Sequence, residues 1–358
     1  MAKFGAQSPN RRCKTKKLAI GIIIAILIFS ALSMLGSSLV YGIMFARRDI
    51  TPDSLELCYE DINKDEFPRT EHRFISGDNV LQGYLYGEGN KNGIIIMVHG
   101  IGGGADSHLA ETLDFVGRGW TVFSFDGTGS RESEGKSLVG FSQMNLDLSA
   151  AIEYVISHFP EENVFLYGHS MGAYASATVL DNYPEIKAAA LLAGFNEPLE
   201  TMYYHAALRV GPLATIEYPF LVLHNKMLFG DAANESAVTS INKSNIPVLI
   251  IQGSNDDIVD DNISIYSKRE LISNPNANYF YMDDDFRNMH STLWRSMDAA
   301  KYLTEKQEEL SKLRKEYGSP LSGEILKDFI DGLDRDRLFT LDKAFMEEIS
   351  RFFLNNAA

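Results

Sequence analysis

One stretch restricts what this chain can become more than any other: Asn163 to Leu180, NVFLYGHSMGAYASATVL. Val164-Phe165-Leu166-Tyr167 has the length and composition of a buried strand. Ala173 to Leu180 is small and apolar enough for a buried helix. Between them lies Gly168-His169-Ser170-Met171-Gly172, a G-x-S-x-G. Alone, that pentapeptide is weak, because two glycines and a serine recur by chance. Between a strand and a helix it gains meaning, since a chain that reverses so sharply needs small residues two before and two after the apex. Such a turn holds the Ser170 side chain out of the sheet, at a helix N-terminus whose dipole favours negative charge. The competing reading is a tight turn with an incidental serine.

The flanking sequence alternates. His72–Ile75 and Val80–Tyr86 read as strands around Ser76-Gly77-Asp78-Asn79. Ile94–Val98 is a continuous apolar run, as expected of a strand covered on both faces. A helix near Asp106–Arg118, a strand Thr121–Phe125 and a helix Phe141–Phe159 precede the central stretch; strands Ala188–Leu192 and Ile246–Ile251 follow it. This order predicts an α/β class fold, a mainly parallel sheet with helices on both faces. Sites in such sheets lie beyond the carboxyl ends of the strands, where His99, Asp126, Ser170, Gly194 and Gln252 fall. Asn196–Ser244 interrupts the alternation and reads as a helical cap over the strand ends; ordinary connecting helices are the rival reading. Ser296–Lys315 and Leu321–Leu333 read as helices around Gly318-Ser319-Pro320, an accessory insertion over about residues 301–342, and Phe345–Leu354 as the last helix.

A serine hydroxyl needs a base to take its proton and donors for the oxyanion that forms. With this architecture the acid and the base follow the serine along the chain. Of the eight histidines, His205 and His224 fall in the expected cap, and only His290 lies beyond the last strand able to carry the acid. That strand runs into Gly253-Ser254-Asn255-Asp256-Asp257, which offers Asp256 first and Asp257 in reserve. A turn carboxylate and an exposed loop histidine are the bland readings of Asp256 and His290. The oxyanion donors expected are the backbone N–H of Met171 and one from the loop after His99, with Ile101 ahead of Gly102. Gly102-Gly103-Gly104 lacks the G-x-G-x-x-G order and no P-loop lysine follows, which disfavours a phosphate cradle. No metal or organic cofactor is required.

Charge is split along the chain. Residues 1–48 hold 8 of the 33 basic residues and no acid, leaving 25 basic against 48 acidic, or −23, for the remainder. A body that acidic argues against a nucleic-acid partner. Leu18–Phe45 is 28 residues without a charge. As a helix it would run roughly 42 Å, against roughly 30 Å of bilayer hydrocarbon. The expected organisation is a basic cytoplasmic tail (1–17), a transmembrane anchor (18–45), a stalk (46–70) and a catalytic domain (71–358). The cluster RRCKTKK before the span puts the N-terminus in the cytoplasm and the domain outside, single-pass at the cell membrane. A cleaved signal peptide is the rival; its apolar region is usually shorter. Cys13 and Cys58 then fall on opposite sides and cannot pair.

From about His72 to Leu354 the chain resembles the α/β-hydrolase superfamily, in its serine aminopeptidase and monoacylglycerol-lipase-like branch. The residues that carry the resemblance are His99-Gly100, Asp126-Gly127-Thr128-Gly129-Ser130, Gly168-His169-Ser170-Met171-Gly172, Pro247–Gly253 with Asp256, and His290. It implies Ser170 as nucleophile, His290 as base, Asp256 as its orienting acid, and Ile101 and Met171 as oxyanion donors. Met289 stands where many relatives carry glycine, the insertion after His290 is long, and Asp283-Asp284-Asp285 precedes the histidine, where its charge could raise the imidazole pKa. The function expected is hydrolysis of an ester, thioester or amide of a small acyl substrate, lipid-derived if the anchor is a guide. A peptidase and a catalytically silent binding protein are the alternatives.

Overall fold

The computed structural model describes residues 9–357; residues 1–8 of the expected basic tail lie outside them. Its sheet has eight strands: β1 (Arg69–Ser76), β2 (Asn79–Tyr86), β3 (Ile94–Val98), β4 (Thr121–Phe125), β5 (Val164–His169), β6 (Ile186–Leu192), β7 (Val248–Gly253) and β8 (Ala277–Met282). The spatial order is β1-β2-β4-β3-β5-β6-β7-β8. Only the β1–β2 and β2–β4 pairs are antiparallel; β4 through β8 are parallel.

Helices cover both faces because the central strands are apolar on both. Ile94, Ile96 and Val98 of β3 face one core with α3 (Gln143–His158), α4 (Met171–Thr178) and α7 (Ala237–Lys243). Ile95 and Met97 face the other, with α2 (Leu109–Gly117) and α11 (Lys343–Asn355). This is the two-residue strand period acting on a run without polar members. The interruption after β6 folds as α5 (Pro198–Val210), α6 (Leu213–Phe229), a short 3₁₀ turn and α7. The insertion near the C-terminus forms α8 (Met297–Tyr317), α9 (Gly323–Asp331) and α10 (Arg335–Leu338), with a small core of Leu310, Leu321 and Phe329.

The N-terminal helix α1 (Pro9–Met44) is the one helix among the described residues long and apolar enough to cross a membrane. Its C-terminal end is packed into the body that carries the sheet. Tyr41 and Phe45 are buried in the larger core, and the Phe45 ring lies edge-on to Phe141 at 5.0 Å.

Residues 46–70, expected as a stalk, are instead bound to the domain. Arg47 donates to the carbonyls of Arg131, Ser133 and Gly135. Asp53 is wholly buried, accepts from Arg314 at 2.7 and 2.8 Å, and also accepts from the Leu321 amide. Glu56 pairs with Arg131 at 2.6 Å. Arg47, Asp53 and Glu56 of the expected stalk thus have partners far along the chain, and Leu55 and Leu57 fill small apolar clusters beside them.

Candidate active site

Ser170 stands between β5 and α4 with φ 58° and ψ −119°, a left-handed backbone that a serine adopts only under constraint. The flanking glycines show the constraint. A Cβ on Gly168 would lie 2.3 Å from the Gly172 carbonyl oxygen, and one on Gly172 would lie 2.0 Å from that of Val98. The turn is therefore packed into the sheet with no room for a methyl group on either side. The amide of Ser170 donates to the Leu192 carbonyl at 2.9 Å, fixing the apex to β6.

Asp256 and His290, the residues expected as acid and base, lie in hydrogen-bond contact. Asp256 follows β7, is buried, and accepts from His290 Nδ1 at 3.0 Å through Oδ1 and 2.8 Å through Oδ2. The same carboxylate accepts from the amides of Ile258 and Val259 and from Gln252 Nε2, so its orientation is over-determined. Asp257 is exposed and makes no hydrogen bond to His290. Ser170 and His290 line one cleft of about 430 Å³ with Gly100, Ile101, Gly102 and Gly103. Among the described residues no hydrogen bond joins the Ser170 hydroxyl to His290.

The glycine loop after β3 reaches the serine: a Cβ on Gly100 would lie 3.2 Å from Ser170 Cβ. Ile101 follows Gly100 in the loop that lines the cleft, and Met171 opens α4 directly after Ser170. Gly102 takes φ +74°, and Arg48 lies against it, 3.2 Å from where a Cβ would stand. His99 holds the loop in place. Its Nε2 accepts from the Gly127 amide at 3.0 Å and its Nδ1–H donates to the Gly100 carbonyl at 2.8 Å. Burial pushes its pKa down to about 4, so the ring is neutral, as this bonding requires.

Sequence reasoning passed over His169, the variable residue before the serine. It is buried, and its Nε2 lies 2.9 Å from the backbone carbonyl oxygen of His290. Burial, then the neighbouring His290 and His108, hold its pKa well below the ordinary value, so the neutral ring donates Nε2–H to that carbonyl. Its ring stands 4.9 Å from Trp294 and 5.3 Å from His108, and His108 is itself bound to Glu111 at 2.7 Å. No periodicity marks such a residue; only its place inside the motif could have drawn attention to it.

The cleft is also lined from unexpected segments: Leu55, Glu56 and Leu57 from the 46–70 stretch, Leu303 and Gln307 from α8, and Phe339. The α5–α7 region reaches the site's edge through His205, whose Nε2 lies 2.9 Å from the carbonyl of the cleft residue Ile258. Two carboxylates of the acidic triplet before His290 have other partners: Asp283 accepts from Ser254 at 2.7 Å and Asp284 pairs with Arg287 at 3.1 Å.

Known proteins resemble this chain in sequence and in fold. Residues 89–215 match the family described as serine aminopeptidase, S33. A monoglyceride lipase homologue of monkeypox virus is 28% identical over 200 residues, covering 47% of this chain and 72% of the relative. Among solved structures, the Pyrococcus furiosus esterase Pf2001 superposes with a TM-score of 0.52 at 18% identity, covering 76% of this chain and 98% of that one. An α/β hydrolase from Vibrio vulnificus does so with a TM-score of 0.54 at 15% identity, covering 78% and 93%. At those identities the likeness is one of fold.

Proposed function

We propose that this chain, an α/β hydrolase of the serine aminopeptidase and monoglyceride-lipase-like branch, is a membrane-anchored serine hydrolase acting on carboxylic esters, thioesters or amides. The observation that carries the reading is the pairing of a strained Ser170 apex with a His290 ring held by Asp256 at the rim of the same cleft. In the proposed reaction His290 Nε2 accepts the Ser170 proton as the oxygen attacks the substrate carbonyl. The amides of Ile101 and Met171 donate to the resulting oxyanion. The imidazolium, steadied by Asp256, gives its proton to the leaving group as the acyl–heteroatom bond breaks. Water, deprotonated by His290, then releases the acid and restores the serine.

The preferred substrate is a lipid-derived ester with a modest apolar acyl chain. The cleft's Ile101, Ile258, Leu303 and Phe339 offer apolar walls, and the viral relative is named for a monoglyceride lipase. Anchoring through α1, N-terminus in the cytoplasm and domain outside, is supported by the basic cluster before the span and by the burial of Tyr41 and Phe45. Removal of α1 as a signal peptide would strip those side chains from the core.

A fluorophosphonate probe tests the reading. Covalent labelling of the folded chain at Ser170, absent in Ser170→Ala, is expected; an unlabelled folded protein would return the chain to the silent binding class. Hydrolysis of p-nitrophenyl esters in preference to aminoacyl amides separates an esterase from a peptidase. Loss of Ser170 or His290 is expected to lower kcat by on the order of 10⁴-fold or more.

A further inference from the structure

Helix α6 carries a row of apolar side chains that the fold leaves uncovered. Leu213, Ile216, Leu223 and Met227 are each about half exposed or more, and Phe220 completes the row. Their spacing of three, four, three and four residues puts all five on one helical face. Leu208 and Val210, at the end of α5 beside the turn into α6, are exposed as well. A contiguous apolar face of this kind marks an interaction surface.

What covers it follows from its neighbour. The Phe220 ring lies edge-on to Phe29 of α1 with centroids 5.7 Å apart, and Ser33 of α1 donates to Glu217 at 3.1 Å. Phe29 and Ser33 stand 11 and 15 residues beyond Leu18, roughly 17 and 23 Å along a helix. The uncharged run is roughly 42 Å long and the hydrocarbon slab roughly 30 Å thick. Slide the slab anywhere along that run and both residues stay inside it. Side chains that touch them are carried in too.

We infer that the α5–α6 hairpin is a second membrane-embedded element, lying against α1 with its exposed row facing lipid acyl chains. The inference rests on the reading of α1 as a membrane span. The occupant is lipid because the row is continuous with the exposed apolar surface of α1, where Leu27, Leu32 and Leu35 are equally bare. Polar groups on the hairpin have outlets: Glu217 is bound by Ser33, and the long stems of Arg209 and Lys226 can carry their charges toward headgroups.

The test uses the full chain in phosphatidylcholine vesicles, with Cys13→Ser and Cys58→Ser as background. Single cysteines replace Ile216, Leu223, Leu27 on α1 and Glu308 on α8, each carrying an environment-sensitive fluorophore. Doxyl-labelled lipid should quench I216C and L223C as strongly as L27C and leave E308C untouched, whereas aqueous iodide should quench only E308C. Quenching of I216C by iodide and not by lipid, with L27C still lipid-quenched, overturns the proposal and leaves the anchor standing. An L27C label that lipid does not quench removes the anchor reading, and the proposal with it. An I216C label reached by neither quencher, in a chain that sediments as a dimer in detergent, assigns the face to a second copy and overturns the proposal.

Discussion

His169 Nε2 lies 2.9 Å from the backbone carbonyl oxygen of His290, so the residue before the candidate nucleophile holds the loop that carries the candidate base. The two side chains need not meet for this coupling to work. A donor in the strand-to-helix turn sets where the imidazole stands.

Replacing His169 with Phe keeps the bulk and removes the donor. Misplacement of a catalytic group by about 1 Å can cost roughly 10²-fold. The expected result is a fall of that order in kcat with KM little changed, partly rescued in His169→Gln, whose amide can still donate. Steady-state kinetics on a small ester checks both variants.

Ala at Gly172 would put a methyl carbon 2.0 Å from the Val98 carbonyl oxygen. A central strand and the helix behind it must separate to admit it. Overpacking of this kind costs about 1–3 kcal/mol or more, and the backbone obstacle places Gly172→Ala at the upper end. Chemical denaturation in detergent should show the loss together with loss of activity, whereas Ser170→Ala should lose activity alone.

Asp53 is wholly buried and its pKa is held well below the ordinary carboxylate range, chiefly by its hydrogen bonds from Arg314. A depressed carboxylate contributes stability above its unfolded pKa and loses it as pH falls toward the folded value. Asp53→Ala is expected to cost about 2–3 kcal/mol at neutral pH. It should also open residues 46–57 to limited proteolysis, a change readable by mass spectrometry.

His99, neutral and buried with a pKa of about 4, has the opposite chemistry and the same sign. Between its unfolded value near 6.5 and about 4, the unfolded chain binds a proton that the folded chain refuses, so stability falls as pH drops through that window. The contribution is about 3 kcal/mol over the whole interval. Asp126, raised to about 6 by burial, opposes it over most of that interval, because the folded state holds that proton and the unfolded state does not. The measurable quantity is therefore a difference. Stability against pH for His99→Gln should lose about 1.4 kcal/mol per pH unit of slope relative to the parent.

Most of the sheet was readable in advance because β3 to β7 are apolar runs bounded by turn residues. β8 escaped because Tyr279, Phe280 and Tyr281 sit on the sheet's edge at 38%, 38% and 39% exposure, without the pattern of a covered strand. Ser170, Asp256 and His290 could be proposed as a set because the topology orders the turn after β5, the loop after β7 and the loop after β8 along one sheet. His169 could not, since a single hydrogen bond to a backbone carbonyl leaves no trace in composition. The 46–70 segment misled for a related reason. An aspartate reads as solvated until its arginine is known, and Arg314 stands 261 residues from Asp53.

Phe45 lies inside the core of the catalytic body, one residue beyond the end of α1. A body joined in that way has no swivel. If α1 crosses the bilayer, the mouth of the cleft is held at one height and one tilt above the surface, and the protein cannot bow down to its substrate. A lipid-derived substrate of the kind proposed would then have to leave the bilayer to reach the mouth, at a rate set by its own escape and not by any reach of the protein.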